Sequence, residues 1–283
     1  MRNPAEIAAE PPDALRFRRR LAPLVALRAV WDAREVAFSL AERDLRARYK
    51  QAVLGFLWSL ASPLSLVLVF TVFFRHVARV DTDGVPYPLF AFLGLLPWSF
   101  FSASLSTGGL SLLSNRALLS KVYCPREVFP LAGVGVAAVD TAVSTTALVV
   151  MFVVYGFVPG LTALWFPVIL LVQLAFTFGV VLLVSVVVVY LRDLRHALPI
   201  LLQFGLFATP VAYGLDAIPA AYRPLYSALN PLAPVIDGYR RTLVLGLAPR
   251  WELLGLAAAG AAVMLVVATL VFQRLEAGIA DLV

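Results

Sequence analysis

Long runs of apolar residues, separated by short polar segments, dominate the chain from residue 53 onward. A helix needs about 20 apolar residues to cross the hydrocarbon core of a bilayer. Six runs are predicted to span a membrane, and they occupy residues 53–74, 88–113, 128–157, 164–190, 197–213 and 253–272. The fifth run is the shortest and contains Pro199 and Pro210. We predict a broken helix there, whose free carbonyls are satisfied by neighbouring helices.

The segment between the fifth and sixth runs, residues 214–250, is too long for a tight hairpin and is rich in proline. It is nevertheless largely apolar, with several tyrosines. We predict two short re-entrant helices that dip into the outer leaflet and separate near Asn230 and Pro231. A surface loop packed against the bundle is the alternative.

Residues 31–52 precede the first run and predict an amphipathic interfacial helix. Apolar side chains recur there at spacings of three, four and seven, which places them on one helix face: Trp31, Phe38, Ala41, Leu45 and Tyr49. The opposite face is polar and carries Glu35, Ser39, Glu42, Arg43, Arg46 and Lys50. Such a helix lies in the headgroup region, with its arginines toward water or anionic lipid. It serves either as a topology anchor or as a brace against a cytoplasmic partner.

Composition supports a membrane protein. Of the 283 residues, 61% are hydrophobic and 14% are charged, and the mean hydropathy is +0.89. An average soluble domain is about half apolar and about one quarter charged. We therefore expect an all-α integral membrane protein with a cytoplasmic tail at 1–30, the interfacial helix at 31–52 and one six-span permease domain at 53–283.

The distribution of basic residues predicts the orientation. The net charge is +6, and 11 of the 23 Lys and Arg residues lie in residues 1–50. With the N-terminus inside, 17 basic residues fall on the cytoplasmic side and six on the other. Basic residues favour cytoplasmic loops, so both termini are predicted to be cytoplasmic. Their placement between apolar runs argues against a nucleic-acid-binding surface.

The sequence lacks the usual signatures of catalysis. There is no phosphate-binding G-x-x-x-x-G-K-[ST] motif, so we do not expect ATP hydrolysis by this chain. His76, His196 and the single Cys124 are too scattered to predict a metal site or a disulfide. Asp140 lies well inside the third run. An acid within a span is a functional candidate, but the small residues around it, Gly133, Ala137, Thr141 and Ser144, equally suit close helix packing.

Between the second and third runs lies a connector that is unusually apolar and basic, NRALLSKVYCPREVFPL (residues 115–131). It has three basic residues and a short helix-like stretch that ends before Pro125. An amphipathic turn of this kind suits insertion into a groove on a partner protein.

Five stretches together resemble a known family. RDLRARYKQAVLGFLWSLASPL (43–64), the connector at 115–131, YLRDLRHALPILLQFGLFATPVAY (190–213) with NPLAPVIDGYRRTLVLG (230–246), and the tail FQRLEAGIADLV are similar to type-2 ABC exporter permeases. Within that family the likeness is to permeases that export O-antigen, capsule or teichoic acid. It covers most of residues 35–283. Residues 1–30 have no counterpart, and the Arg240–Arg241 pair stands where one basic residue is commoner.

The resemblance implies the function and partners of the chain. It implies a homodimer in the bacterial inner membrane, joined to two ATP-binding subunits that hold ATP and Mg, with no cofactor in this chain. The substrate implied is a lipid-linked polysaccharide. A drug or other lipid exporter of the same architecture, a membrane-embedded lipid-modifying enzyme and an assembly subunit are the alternatives.

The resemblance also implies roles for particular residues. Coupling to the ATPase is implied for Arg116, Lys121, Val122, Tyr123, Pro125 and Arg126. The interfacial brace is implied to use Arg43, Arg46, Arg48 and Tyr49. Candidate stacking surfaces for sugars along the translocation path, or else an interfacial aromatic belt, are Phe56, Trp58, Trp98, Phe100 and Phe101. The implied outer gate, able to bind a diphosphate or acidic polymer or to anchor phospholipid, is Tyr239, Arg240 and Arg241.

Overall fold

The computed structural model describes residues 32–50, 57–75, 82, 84–119 and 124–282. Within these ranges every regular element is a helix, in agreement with the predicted all-α class. Some predicted features lie outside the described residues: the tail at 1–30, Trp31, the residues at 51–56 including Phe56, and Lys121, Val122 and Tyr123 of the connector.

Helices make up most of the described part of the chain. In the described ranges the α-helices are α1 (Arg34–Tyr49), α2 (Leu57–Phe70), α3 (Tyr87–Gly108), α4 (Ser111–Ser114), α5 (Arg116–Leu119), α6 (Val128–Tyr155), α7 (Phe166–Tyr190), α8 (Leu194–Ala208), α9 (Arg223–Leu229), α10 (Leu232–Leu243) and α11 (Trp251–Leu282). Helix α2 continues into a π-helical turn, and 3-10 turns precede α7 and α9 at Leu161–Trp165 and Leu215–Ala217.

Four helical segments in the described ranges are long and apolar enough to cross a membrane: Tyr87–Ser114, Val128–Tyr155, Leu161–Tyr190 and Trp251–Glu276. They correspond to the second, third, fourth and sixth predicted spans. The first and fifth appear as the shorter apolar helices Leu60–Phe74 and Leu194–Ala208. Pro199 lies inside α8 without ending it, and the helix stops at Ala208, two residues before Pro210.

Close helix packing holds the bundle together, with α3 against α6 and α7 against α11. A β-carbon added to Gly133 of α6 would lie 2.4 Å from the Cα atom of Gly108 in α3. One added to Gly179 of α7 would lie 3.0 Å from the backbone nitrogen of Leu265 in α11. Larger side chains at these points would separate the backbones. Gly133 therefore has the packing role that its small neighbours suggested.

Two short helices, α9 and α10, occupy the proline-rich segment between α8 and α11. They are separated at Asn230 and Pro231, where the sequence predicted the break. Tyr226 of α9 donates a hydrogen bond to the Ala208 carbonyl, and Asn230 donates one to Thr209 Oγ1 at 2.9 Å. These contacts hold the segment against the end of α8.

Helix α1 forms where the amphipathic pattern predicted it. Ala37 is the buried residue of α1, and Ala41 approaches Gly135 of α6, where an added β-carbon would lie 3.6 Å from that of Ala41. Phe38, assigned by periodicity to the apolar face that enters the headgroup region, is 72% exposed. Small side chains therefore pack α1 on α6, while the ring of Phe38 is not covered by protein.

Candidate functional site

Charged and polar side chains gather at two ends of the bundle. The N-terminal face comprises α1, residues 111–119 and 124–127, and the end of α11. One apolar cluster joins these elements around Phe272, and its partly buried members include Leu40, Leu118, Leu119 and Leu275. The distal face comprises residues 156–165 and 209–250. Each face holds one of the predicted functional sites.

At the N-terminal face, α1 is tied to α6 through Asp140. The Arg48 guanidinium donates to Asp140 Oδ2 at 2.6 Å, and the Tyr49 hydroxyl donates to Oδ1 at 2.5 Å. The Asp140 side chain is 14% exposed and that of Arg48 is 41% exposed. Two of the four predicted brace residues, Arg48 and Tyr49, thus bind the one acid that the sequence singled out within a span. The carboxylate serves here as an anchor for α1.

A second contact joins α1 to the connector. Arg43 donates to the side-chain oxygen of Asn115 at 2.7 Å and also bonds Asp44. The Asn115 amide in turn donates to the Ser111 carbonyl at 2.9 Å. The predicted brace is therefore in direct contact with the first residue of the connector that contains the predicted coupling residues.

The connector is also tied to the last helix. Arg126 donates a hydrogen bond to the backbone carbonyl of Glu276, and Tyr190 donates one to that of Leu275 at 2.6 Å. Arg116 lies on α5, and Pro125 is half-buried beside α6. Of the implied coupling residues, Arg126 thus has an internal partner that fixes the connector against α11.

Arg240, implied to be part of the outer gate, lies inside the distal part of the bundle and is 5% exposed. Its guanidinium donates four hydrogen bonds to backbone carbonyls: those of Phe90 (3.2 Å), Pro210 (2.9 Å), Tyr213 (2.9 Å) and Val211 (2.5 Å). It also lies 3.6 Å from the centroid of the Phe90 ring. These contacts satisfy the carbonyls of the turn after α8. Arg240 therefore serves the fold, and head-group binding stays a prediction for Arg241.

The neighbourhood of Arg240 is tightly packed. A β-carbon on Gly94 would lie 2.5 Å from the Val211 carbonyl oxygen and 2.6 Å from the Arg240 guanidinium. Tyr239, the third implied gate residue, is buried and donates a hydrogen bond to Gln173 of α7 at 2.7 Å. Tyr239 thus joins α10 to α7.

Asp216 is the centre of an ionic cluster on the distal face. Arg250 donates two hydrogen bonds to the Asp216 carboxylate, at 2.9 and 2.5 Å, and the Arg223 guanidinium lies 2.9 Å from Asp216 Oδ1. The hydrogen bond from Arg250 holds the pKa of Asp216 below its usual range, while burial opposes that shift and Arg223 and Arg241 add to it. Arg241 itself donates to the Ala248 carbonyl at 2.9 Å. The surface around Arg241 is therefore rich in arginine.

Most of the predicted path aromatics lie in the core. Trp98, Phe100 and Phe101 are 7%, 4% and 8% exposed, and the Phe101 ring stacks on Phe176 at 5.7 Å. Protein covers the rings of Trp98 and Phe101, whereas Phe100 also lines an apolar cavity of about 350 Å³. Trp58 is 59% exposed, so Trp58 and Phe100 remain the candidates among the described residues.

The sequence also matches known proteins. A sequence model of the ABC-2 type transporter family matches residues 35–244. The chain belongs to the ABC-2 type transporter family. The match extends from α1 past the end of α10. It therefore contains the Arg48–Asp140 pair and the Arg240 site.

Individual relatives of this ABC-2 chain are polysaccharide exporters by name. The chain is 34% identical over 248 residues to the O-antigen export system permease protein RfbA of Myxococcus xanthus, covering 87% of this chain and 95% of that protein. It is 29% identical over 244 residues to RfbA of Klebsiella pneumoniae, covering 86% and 93%. The polysialic acid transport protein KpsM of Escherichia coli is 24% identical over 217 residues, covering 72% and 79%.

Sequence reasoning about this ABC-2 chain missed how Arg48, Asp140 and Arg240 are partnered. Each of these residues stood out as a charge beside or within apolar sequence. An isolated charge there signals a partner, but 92 residues separate Arg48 from Asp140. Arg240 bonds to main-chain atoms, which any sequence could supply.

Breaking the Arg48–Asp140 pair is expected to loosen α1. In a double-mutant cycle of Arg48→Ala and Asp140→Ala, we expect a coupling of about 1 kcal/mol, because Asp140 is largely buried while Arg48 is 41% exposed. The free energy of unfolding in detergent, with protease cleavage within α1 as a second readout, measures it. Asp140→Asn keeps an acceptor for Tyr49 and should lose less.

The matched control is the Glu42–Arg46 pair on the same helix, which is 2.5 Å long, close to the 2.6 Å of Arg48–Asp140, but has side chains 45% and 78% exposed. An exposed pair of this spacing contributes only about 0.3–0.5 kcal/mol. Equal coupling energies for the two pairs would show that Asp140 does not anchor α1.

Proposed function

We propose that the chain is the permease subunit of an ABC transporter that exports a lipid-linked polysaccharide across the bacterial inner membrane. The observation that carries the proposal is the 34% identity to an O-antigen export permease across 95% of that protein's length. The substrate belongs to the class of O-antigen, capsule or teichoic acid. A separate ATP-binding subunit supplies the energy.

The N-terminal face is the proposed docking surface for that subunit, and it lies in the cytoplasm, where ATP is available. Its basic residues and its tie between α1 and the connector support this assignment, because a docking surface must transmit movement into the spans. Phe38, which is 72% exposed on α1, would enter the headgroup region. The coupling residues are those implied by the sequence, with Arg126 also anchoring the connector.

The proposed topology has six spans, with α2 and α8 as the two shorter ones and α9 and α10 re-entering the outer leaflet. Both apolar helices present large exposed side chains, including Leu68 on α2 and Phe204 on α8, at 67% and 70% exposure. Phe70 and Phe207 bring the two helices together, with ring centroids 6.5 Å apart. This shared apolar surface is available for a second copy of the chain in the proposed homodimer.

Deleting the gene tests the proposed function. We expect the surface polysaccharide to disappear and its lipid-linked form to accumulate in the inner membrane, because synthesis continues while export stops. Immunoblotting of surface glycan and mass spectrometry of extracted glycolipid measure the two quantities. Re-expression of the wild-type chain together with its ATP-binding subunit should restore export. Unchanged surface glycan in the deletion strain would show that the chain has another cargo.

A further inference from the structure

Hydroxyl groups line a cavity of about 240 Å³ between α2, α3 and α6, termed the hydroxyl cavity. Its polar lining residues are Ser62, Ser99, Ser102, Ser106, Asp140, Thr141 and Ser144. The three α3 serines are spaced by three and four residues, so they share one face of that helix. The helix thus turns a polar stripe toward α6.

A polar stripe in a transmembrane helix needs polar surroundings, because hydrocarbon offers no hydrogen bonds. Ser102 donates to the Ser99 carbonyl at 3.2 Å. A hydroxyl that donates to its own helix still has lone pairs that accept. The hydroxyl cavity therefore presents hydrogen-bond acceptors to any molecule inside it.

A second cavity of about 430 Å³ adjoins the first and is termed the basic vestibule. It lies among α1, α3, α4 and α6, and its lining includes Arg43, Arg48, Ser114 and Asn115. Ser106 lines both cavities. The vestibule thus lies next to the hydroxyl cavity, on the side of the N-terminal face.

The Arg48–Asp140 pair lies where the two cavities meet. Arg48 lines the vestibule and Asp140 lines the hydroxyl cavity, with 2.6 Å between their bonded atoms. Asp140 is the one charged group among the described residues that line the hydroxyl cavity. Since Arg48 neutralises it, the lining suits a neutral, hydroxyl-rich ligand better than a phosphate.

We propose that the hydroxyl cavity is filled with water and binds sugar hydroxyl groups of the exported glycan, with the Arg48–Asp140 pair at its boundary. This assignment rests on the proposed function for the identity of the ligand. In this proposal the serines of α3, rather than the buried aromatic rings of the same helix, contact the sugar. Ser62, Ser99, Ser102 and Ser106 are the contact residues.

Cysteine labelling tests the proposal, with two positions on one helix compared. Ser102→Cys places a thiol in the cavity, whereas Ser104→Cys places one on a fully buried side of α3, where the native serine is 0% exposed. Both variants carry Cys124→Ser, which removes the single native thiol. The complex with its ATP-binding subunit is labelled in inverted inner-membrane vesicles with a negatively charged, membrane-impermeant methanethiosulfonate reagent.

In vesicles from cells that cannot start glycan synthesis, we expect the thiol at position 102 to react at least about tenfold faster than that at 104, because reactivity follows exposure to water. In vesicles from glycan-producing cells, the rate at 102 should fall while that at 104 stays the same. If either variant fails to co-purify with the ATP-binding subunit, Ser99→Cys or Ser106→Cys replaces the cavity position, and Ser185→Cys on α7, where the native serine is 0% exposed, replaces the control.

Two results would overturn the inference. Equal, slow labelling at 102 and 104 would mean that the cavity excludes water. Fast labelling at 102 that is the same in both vesicle preparations would mean that the cavity holds water but binds no glycan. Neither result bears on the proposed export function, which the deletion strain tests separately through its surface glycan.

Discussion

Arg240→Ala is expected to abolish accumulation of folded protein. Four backbone carbonyls lose their donor at once, and the Phe90 ring loses the cation above it. Leaving a buried carbonyl without its donor costs about 1–3 kcal/mol, so four such losses together reach at least about 4 kcal/mol. That is a large fraction of the total stability of about 5–15 kcal/mol of an ordinary domain. We therefore expect little monodisperse protein after detergent extraction.

Arg240→Lys separates the contribution of the positive charge from that of the planar guanidinium, with its several hydrogen-bond donors. An ammonium group keeps the charge but has three donors and no planar fork, so it cannot reach carbonyls on both α3 and the turn after α8. We expect a stability between those of the wild type and Arg240→Ala. Gly94→Ala should act on the same site from the other side, because its β-carbon would displace the guanidinium.

Arg241→Ala is the matched control, since it removes the adjacent arginine of the same helix, which donates to the Ala248 carbonyl. We expect near wild-type yield and melting temperature from this variant. Fluorescence-detected size-exclusion chromatography with a thermal ramp measures all four variants. Wild-type yield and melting temperature for Arg240→Ala would contradict the role assigned to this residue.

The combined substitution Arg116→Ala, Lys121→Ala and Arg126→Ala is expected to stop export. These residues supply the basic charge of the connector on the proposed docking surface. Loss of even one strong interface contact costs about 2 kcal/mol or more, which corresponds to about a thirtyfold weaker complex. Surface glycan should fall to the level of the deletion strain, and co-purification of the ATP-binding subunit should be lost.

The structure suggests an internal control for that experiment. Arg126 bonds the Glu276 carbonyl, so Arg126→Ala alone tests how the connector is anchored to α11. We expect the single variant to assemble with the ATP-binding subunit while export is reduced only partly. If the triple variant assembled and exported as well as the wild type, the coupling assignment would be wrong.

The buried aromatic residues show why the proposed sugar contacts were hard to locate from sequence. Phe100 and Phe101 lie near the middle of a long apolar run, where either protein or a ligand can cover a ring. The hydrophobic periodicity and the composition of the run do not distinguish a ring covered by protein from a ring covered by a ligand. The serines of α3 gave a weaker signal, because serine is common in helix-packing surfaces of membrane proteins. Only the positions of α2 and α6 show which α3 face borders the cavity.

The membrane class, the helical segments and the two short helices that meet at Asn230 and Pro231 could be predicted from the sequence, because apolar length and proline act locally along the chain. Asp140 also stood out in the sequence as an exceptional acid within an apolar run. The partners of that acid and the surroundings of Arg240 are visible only in the folded protein. Those contacts join residues far apart in sequence, and the Arg240 partners are backbone carbonyls that no side-chain pattern encodes. The six apolar runs and the basic residues that precede them thus identify a membrane protein. The packing of α1 on α6 shows how those basic residues are attached to the spans.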